Sequence, residues 1–142
     1  MDYHFKRCLE KKNLVKVDIN EDLINKEMQV AESDLKDSKD VLKVGKVKWA
    51  TISAYYSMFH AARALLYSKG YRKKSHFCLR AALKNLFVNT NLLEVSFLDD
   101  YDSAKDLREN ADYKSDFSKE GAERLIEKAE GFLSKAKSLL AS

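Results

Sequence analysis

A chain of 142 residues is the size of one domain with one core, and 45 % hydrophobic residues are enough to fill it. With 34 % charged residues, no proline and four glycines, the composition excludes folds built on many tight turns and points to long helices with short connections. The formal net charge of +4 falls short of the dense basic patch that non-specific nucleic-acid binding uses, and no run of about 18 apolar residues is present to cross a membrane.

Residues 3–13 read as a short first helix with Phe5, Cys8 and Leu9 on its apolar side. Residues 14–19 alternate weakly through Leu14, Val15, Val17 and Ile19 and read as an extended linker. Residues 1–19 together are expected to form an N-terminal extension packing on the rest of a single domain, 1–142. Met1 to Arg7 lack the apolar core of a signal peptide, so the expected location is the cytoplasm. Cys8 and Cys78 are far apart in sequence, with no Cys-x-x-Cys and no clustered histidine. They are read as free thiols of a reducing compartment, without a zinc site or a disulfide framework.

The second helix is expected over 21–44, with the stripe Ile24, Met28, Ala31, Leu35, Ser38 and Leu42. Asn20 is its N-cap and Gly45 its C-terminal stop. The central helix, 46–69, is apolar on nearly all sides. One stripe runs Trp49, Ile52, Tyr56, Phe59, Arg63, Leu66 and another Ala54, Met58, Ala61, Leu65. A helix with two apolar faces is one that others wrap, so Trp49, Tyr56, Phe59 and Leu66 are expected to be buried. Gly70 ends it. A basic turn, Arg72-Lys73-Lys74-Ser75-His76, leads into a fourth helix over 75–88 capped by Ser75. The fifth helix, 92–111, carries the stripe Leu93, Phe97, Tyr101, Ala104, Arg108, Ala111, and the sixth runs from Ser118 over 118–140. The expected fold is an all-α, antiparallel helical bundle of five to six helices.

Three segments together resemble one family. Trp49 to Leu66 contains Tyr55-Tyr56-x-Met58-Phe59-His60-Ala61-Ala62; the turn reads Gly70-Tyr71-x-x-Lys74-Ser75-His76; and the fifth helix ends Arg108-Glu109-Asn110-Ala111-Asp112-Tyr113. The chain resembles the HEPN domain family, most closely its small stand-alone prokaryotic members, over almost its whole length. The resemblance implies a helical bundle that forms a homodimer, often partnered by a minimal nucleotidyltransferase. Some family members are endoribonuclease toxins of toxin–antitoxin pairs and carry Arg-x4-6-His, with catalytic groups meeting at the dimer interface. Here the matching segment is Arg108-x4-Tyr113, with tyrosine in the histidine's place. Metal-free RNA cleavage needs a base that takes a proton near neutral pH. Histidine, with a pKa of about 6.5, suits this, and tyrosine, at about 10, does not. The arginine's task of gripping a phosphate survives.

Arg108 also stands out without the resemblance, because it interrupts an apolar stripe. Either it pairs with Asp112, four residues on, with its stem in the core, or it faces a phosphate or an interface. Tyr113 either closes the helix end or lines a nucleotide cleft. Arg72, Lys73, Lys74, His76 and Arg80 surround a helix start, which favours an anion, although charge runs are commonly just solvated. His60 and Arg63 read as a hydrogen-bonded core histidine and a buried or interface arginine; Ser57 lies near His60, but nothing completes a nucleophile, base and orienting group. The expected phosphate- or nucleotide-binding set is Arg72, Lys74, His76, Arg108, Asp112 and Tyr113; no catalytic residue is assigned, Arg108 and Tyr113 being candidates, and no metal or cofactor is expected. The leading expectation is a non-catalytic module that binds nucleotide or RNA beside a nucleotidyltransferase partner. The alternatives are a metal-independent endoribonuclease using His76 or Tyr113 as substitute base, and a structural dimer or adaptor without ligand.

Overall fold

The computed structural model describes residues 2–142, so Met1 of the expected extension lies outside it. The helices are α1 Tyr3–Glu10, α2 Glu21–Lys43, α3 Val47–Ser68, α4 His76–Leu83, α5 Val95–Tyr113 and α6 Lys119–Ala141. α4 continues through a π-helical turn, Lys84–Val88. Two three-residue strands, β1 Leu14–Lys16 and β2 Tyr71–Lys73, pair antiparallel with Leu14 opposite Lys73 and Lys16 opposite Tyr71. The protein is an all-α bundle with one small ribbon, and among the described residues no helix is long and apolar enough to cross a membrane.

Local chemistry sets the helix ends. Asn20 Oδ1 accepts from the amides of Asp22 and Leu23, Ser75 Oγ from Cys78, and Ser118 Oγ from Gly121. Gly45 has φ +83° between α2 and α3, and the Gly45 and Lys46 amides donate back to Leu42 and Val41 carbonyls. That left-handed reversal is what a residue without Cβ allows cheaply. Gly70, at φ +80°, is held more tightly: an added Cβ would lie 3.2 Å from the Val17 carbonyl oxygen.

α3 is the axis of the bundle. It packs against α2, α4, α5, α6 and β2, and Ala50, Ala54, Ala61, Ala62 and Ala64 are wholly buried, which lets these neighbours approach closely. Phe59 and Leu66 are buried as the periodicity predicts, and Tyr56 is half-buried. Trp49 is not buried: it is 55 % exposed, in the first turn of α3, with Lys48 Nζ 5.3 Å from its ring. Stripe arithmetic marks the face of a helix but not where its neighbours stop, and Trp49 lies at that end.

Two further expectations are corrected. The turn after Gly70 contains a strand, too short for its alternation to be read from sequence. The cysteines are not free: Cys8 and Cys78 form a disulfide, with Cα atoms 5.8 Å apart, inside the usual window. The ribbon explains why 70 residues of separation did not keep them apart. Cys8 lies just before β1 and Cys78 just after β2, so antiparallel pairing brings α1 and the start of α4 side by side. Phe5, buried against Tyr71 at 5.4 Å between ring centres, and an ion pair between Asp2 and Lys84 at 3.2 Å complete the docking of α1.

Candidate phosphate-binding site

Arg108 comes from the inward stripe of α5 and is only 8 % exposed. A buried guanidinium usually finds a buried carboxylate. This one has tyrosine rings instead: its Cζ lies 5.1 Å from the ring centre of Tyr55, 5.8 Å from Tyr56 and 5.7 Å from Tyr113. Each such contact is worth about 0.5–2 kcal/mol, depending on how dry it is. Nη1 donates a long hydrogen bond, 3.4 Å, to Tyr113 Oη, and lies 3.8 Å from the half-exposed Asp112 carboxylate. Nε is buried with no hydrogen-bond partner, the one such side-chain atom among the described residues. Burial opposes the charge on Arg108, but the Tyr113 hydrogen bond and the tyrosine oxygens outweigh it and raise its pKa. The group is therefore a permanent cation whose donors are incompletely used.

Across the same aromatic surface lies His76, the first residue of α4. Its ring is 5.4 Å from that of Phe59, which in turn is 6.0 Å from Tyr56. Partial burial, then Lys73, Lys105 and Arg108, push the His76 pKa down, with Glu109 working the other way. His76 is thus a neutral imidazole at pH 7, able to accept a proton or, once charged, to face an anion. Lys73 Nζ sits 4.8 Å over the Phe59 ring, and burial with Arg63 nearby lowers its pKa too. Lys73, Lys105 and Arg108 together set a positive potential at His76, although Lys105 is itself 3.8 Å from Glu109 and Arg63 is paired with Glu27.

Of the sequence-predicted set, the structure brings Arg108, Asp112, Tyr113 and His76 to this surface. Tyr113 is 73 % exposed and open to a ligand. Arg72 and Lys74 are exposed and flank Lys73 in sequence; Lys73, not they, packs on Phe59. Strand alternation gives Lys73 and Arg72 opposite faces. Arg80 is diverted into a two-point contact, its Nε 2.9 Å from both Asp102 oxygens, which ties α4 to α5. Sequence reasoning missed Tyr55, Tyr56 and Phe59 as a cradle. Helical spacing places Tyr56 and Phe59 on a core stripe of α3; that Tyr55 and Tyr56 face Arg108, and Phe59 faces His76 and Lys73, is a tertiary fact.

His60 and Arg63 lie in a different setting. His60 Nδ1 is 2.8 Å from Glu27 Oε2 and Nε2 is 3.8 Å from Asp34; Arg63 Nη2 is 3.5 Å from Glu27 and donates to Tyr67 Oη at 3.0 Å. Ser57 is buried and donates to the Ala54 carbonyl, which removes it as a nucleophile. Among the described residues no group of three or more His, Cys, Asp or Glu is placed to hold a metal ion.

The chain is a small all-α helical module with a tyrosine-cradled arginine near the end of its fifth helix. The chain belongs to the HEPN domain family, whose model matches residues 24–139. It is 33 % identical to a protein of Methanocaldococcus jannaschii named "putative toxin", over all of this chain and 88 % of that one. A second "putative toxin" of the same organism is 32 % identical over 91 % of this chain and 96 % of its own length. A UPF0332 protein of Archaeoglobus fulgidus is 33 % identical over 75 % of this chain and 86 % of its own.

Proposed function

We infer that this HEPN protein binds the phosphate of a nucleotide or RNA on the Arg108 surface. It would act as a homodimeric, non-catalytic module beside a nucleotidyltransferase in a toxin–antitoxin-like pair. One observation carries the binding reading: a buried arginine compensated by three tyrosine rings, with a partnerless Nε and an exposed tyrosine hydroxyl beside it. A phosphate would bring negative charge to the exposed rim of the guanidinium beside Tyr113 and so offset the cost of the buried, unpaired Nε. The toxin names of the relatives and the resemblance to partnered HEPN proteins support the paired system.

The test is fluorescence anisotropy with a labelled single-stranded RNA, competed by AMP and inorganic phosphate. Arg108→Ala is expected to weaken binding at least about tenfold, equivalent to about 1.4 kcal/mol, and wild-type affinity should fall as salt rises. Equal binding by wild type and variant sinks the reading. His76 favours a second reading, cleavage: its depressed pKa suits a general base, and it shares the surface with Arg108. RNA turnover by wild type that is lost in both Arg108→Ala and His76→Ala would replace binding with catalysis.

A further inference from the structure

We propose that the Cys8–Cys78 disulfide is a redox latch: closed, it clamps α1 on α4 and holds the His76 corner of the phosphate surface; opened by a dithiol, it frees α1 and loosens that corner. Lys73 to Cys78 is a short span fixed at one end by the ribbon and at the other by the disulfide. This span gives two groups to the surface: Lys73 at the ribbon end, and His76 between the ribbon and the disulfide. Without the bond, α1 is an eight-residue helix, too short to persist by itself. It would be kept in place by Phe5 and Leu9, the Asp2–Lys84 ion pair, the Asp2 amide donating to Asn85 and the ribbon that follows it. Its outer residues Tyr3 and His4 are exposed; their rings meet edge to face, and His4 meets Phe77 in the same way. Such an element belongs to the least stable part of a fold.

The bond is buried, each cysteine being 3 % exposed, and the groove on one side is the route by which a reductant reaches it. The two cysteines line an open groove of about 460 Å³ with Arg7, Lys11, Ser75 and Phe77, and the two cations there attract a thiolate. A thiolate of the dithiol attacks Cys8 Sγ; the S–S bond breaks and the Cys78 sulfur leaves with the electron pair. Cys78 lies in the first turn of α4, where free amides and the helix dipole favour an anion. The second thiolate of the reductant then attacks the mixed disulfide and expels Cys8 as a thiolate. Two electrons pass to the cysteine pair, the reductant becomes a disulfide, and the two cysteine thiolates take protons from water.

The effect on ligand rests on the phosphate-binding reading above; the effect on α1 does not. The experiment compares full-length protein oxidised with glutathione disulfide and reduced with dithiothreitol. Thiol titration of the denatured protein is expected to give no free thiols and then two. Reduction should lower Tm by about 10 °C, since the bond closes a long loop. Hydrogen exchange should quicken at least about tenfold in residues 2–13 and 74–80 and stay unchanged in α2 and α3. Affinity for inorganic pyrophosphate should fall about threefold or more. Cys8→Ser should show the reduced behaviour whether or not dithiothreitol is present; if it does not fold, the reduced wild type gives the same comparison. Two free thiols after oxidation, or unchanged exchange in residues 2–13 and 74–80 on reduction, overturns the latch. Absence of pyrophosphate binding in both states removes the phosphate reading, while the exchange measurement still decides the latch.

Discussion

Arg63 and Arg108 both lie over aromatic rings of the same bundle, yet their charges are met in opposite ways. Arg63 shares the buried Glu27 with His60 and donates to Tyr67, so its network is closed within the protein. Arg108 has rings, one long hydrogen bond and a carboxylate at 3.8 Å, and its Nε has nothing. The closed network fastens α2 to α3; the open one leaves donors for a ligand. Residue type does not separate the two arginines. What separates them is whether a carboxylate reaches the guanidinium from the neighbouring helix.

Phe59 joins the two regions, touching Arg63 and Lys73 as a ring acceptor and His76 and Tyr56 as a ring neighbour. Phe59→Ala should cost about 3–5 kcal/mol, the range for a buried ring, measured by urea denaturation. A loss under about 1 kcal/mol would mean that α3 is not the axis of the core.

Glu27→Ala sharpens the contrast. It strands His60 and Arg63 without their shared acceptor and should cost about 1–3 kcal/mol of stability, with RNA affinity changed less than about twofold. If binding is lost as well, the two regions act as one site and the division drawn here is wrong.

His76 gives a pH test with opposite signs for stability and binding. Its folded pKa lies below its ordinary value, for partial burial and the Lys73, Lys105 and Arg108 charges disfavour the imidazolium. As pH falls through about 6.5, the unfolded chain takes up the proton first, so this group's contribution to stability is lost toward low pH. A bound phosphate favours the imidazolium, so affinity should rise over the same fall. His76→Gln should flatten both trends, read by thermal melts and anisotropy from pH 5 to 8. A wild-type affinity independent of pH would place His76 outside the site.

The smallest expected effect is a gain. Tyr113→His rebuilds Arg-x4-His beside Arg108 and should bring weak RNA cleavage above the wild-type level, followed on a labelled oligonucleotide by gel. A variant that binds RNA but stays inert would show that an imidazole at this position is insufficient for turnover.

The sequence by itself determined the helices, their caps and their inward faces. Asn20, Ser75 and Ser118 cap through atoms two or three residues away, Gly45 and Gly70 adopt positive φ locally, and α3 declares two apolar faces by spacing alone. It also marked Arg108, because a charge inside an apolar stripe is visible in one dimension. Only the tertiary structure decided what surrounds that charge. Tyr55 and Tyr56 meet Arg108 across helices, Lys73 rather than Arg72 packs on Phe59, Arg80 is taken by Asp102, and Cys8 reaches Cys78 through a ribbon of three residue pairs. The physical reason is range. Capping and periodicity act over a few residues and are written locally, whereas charge compensation and disulfide pairing depend on which distant segments packing brings within a few ångströms.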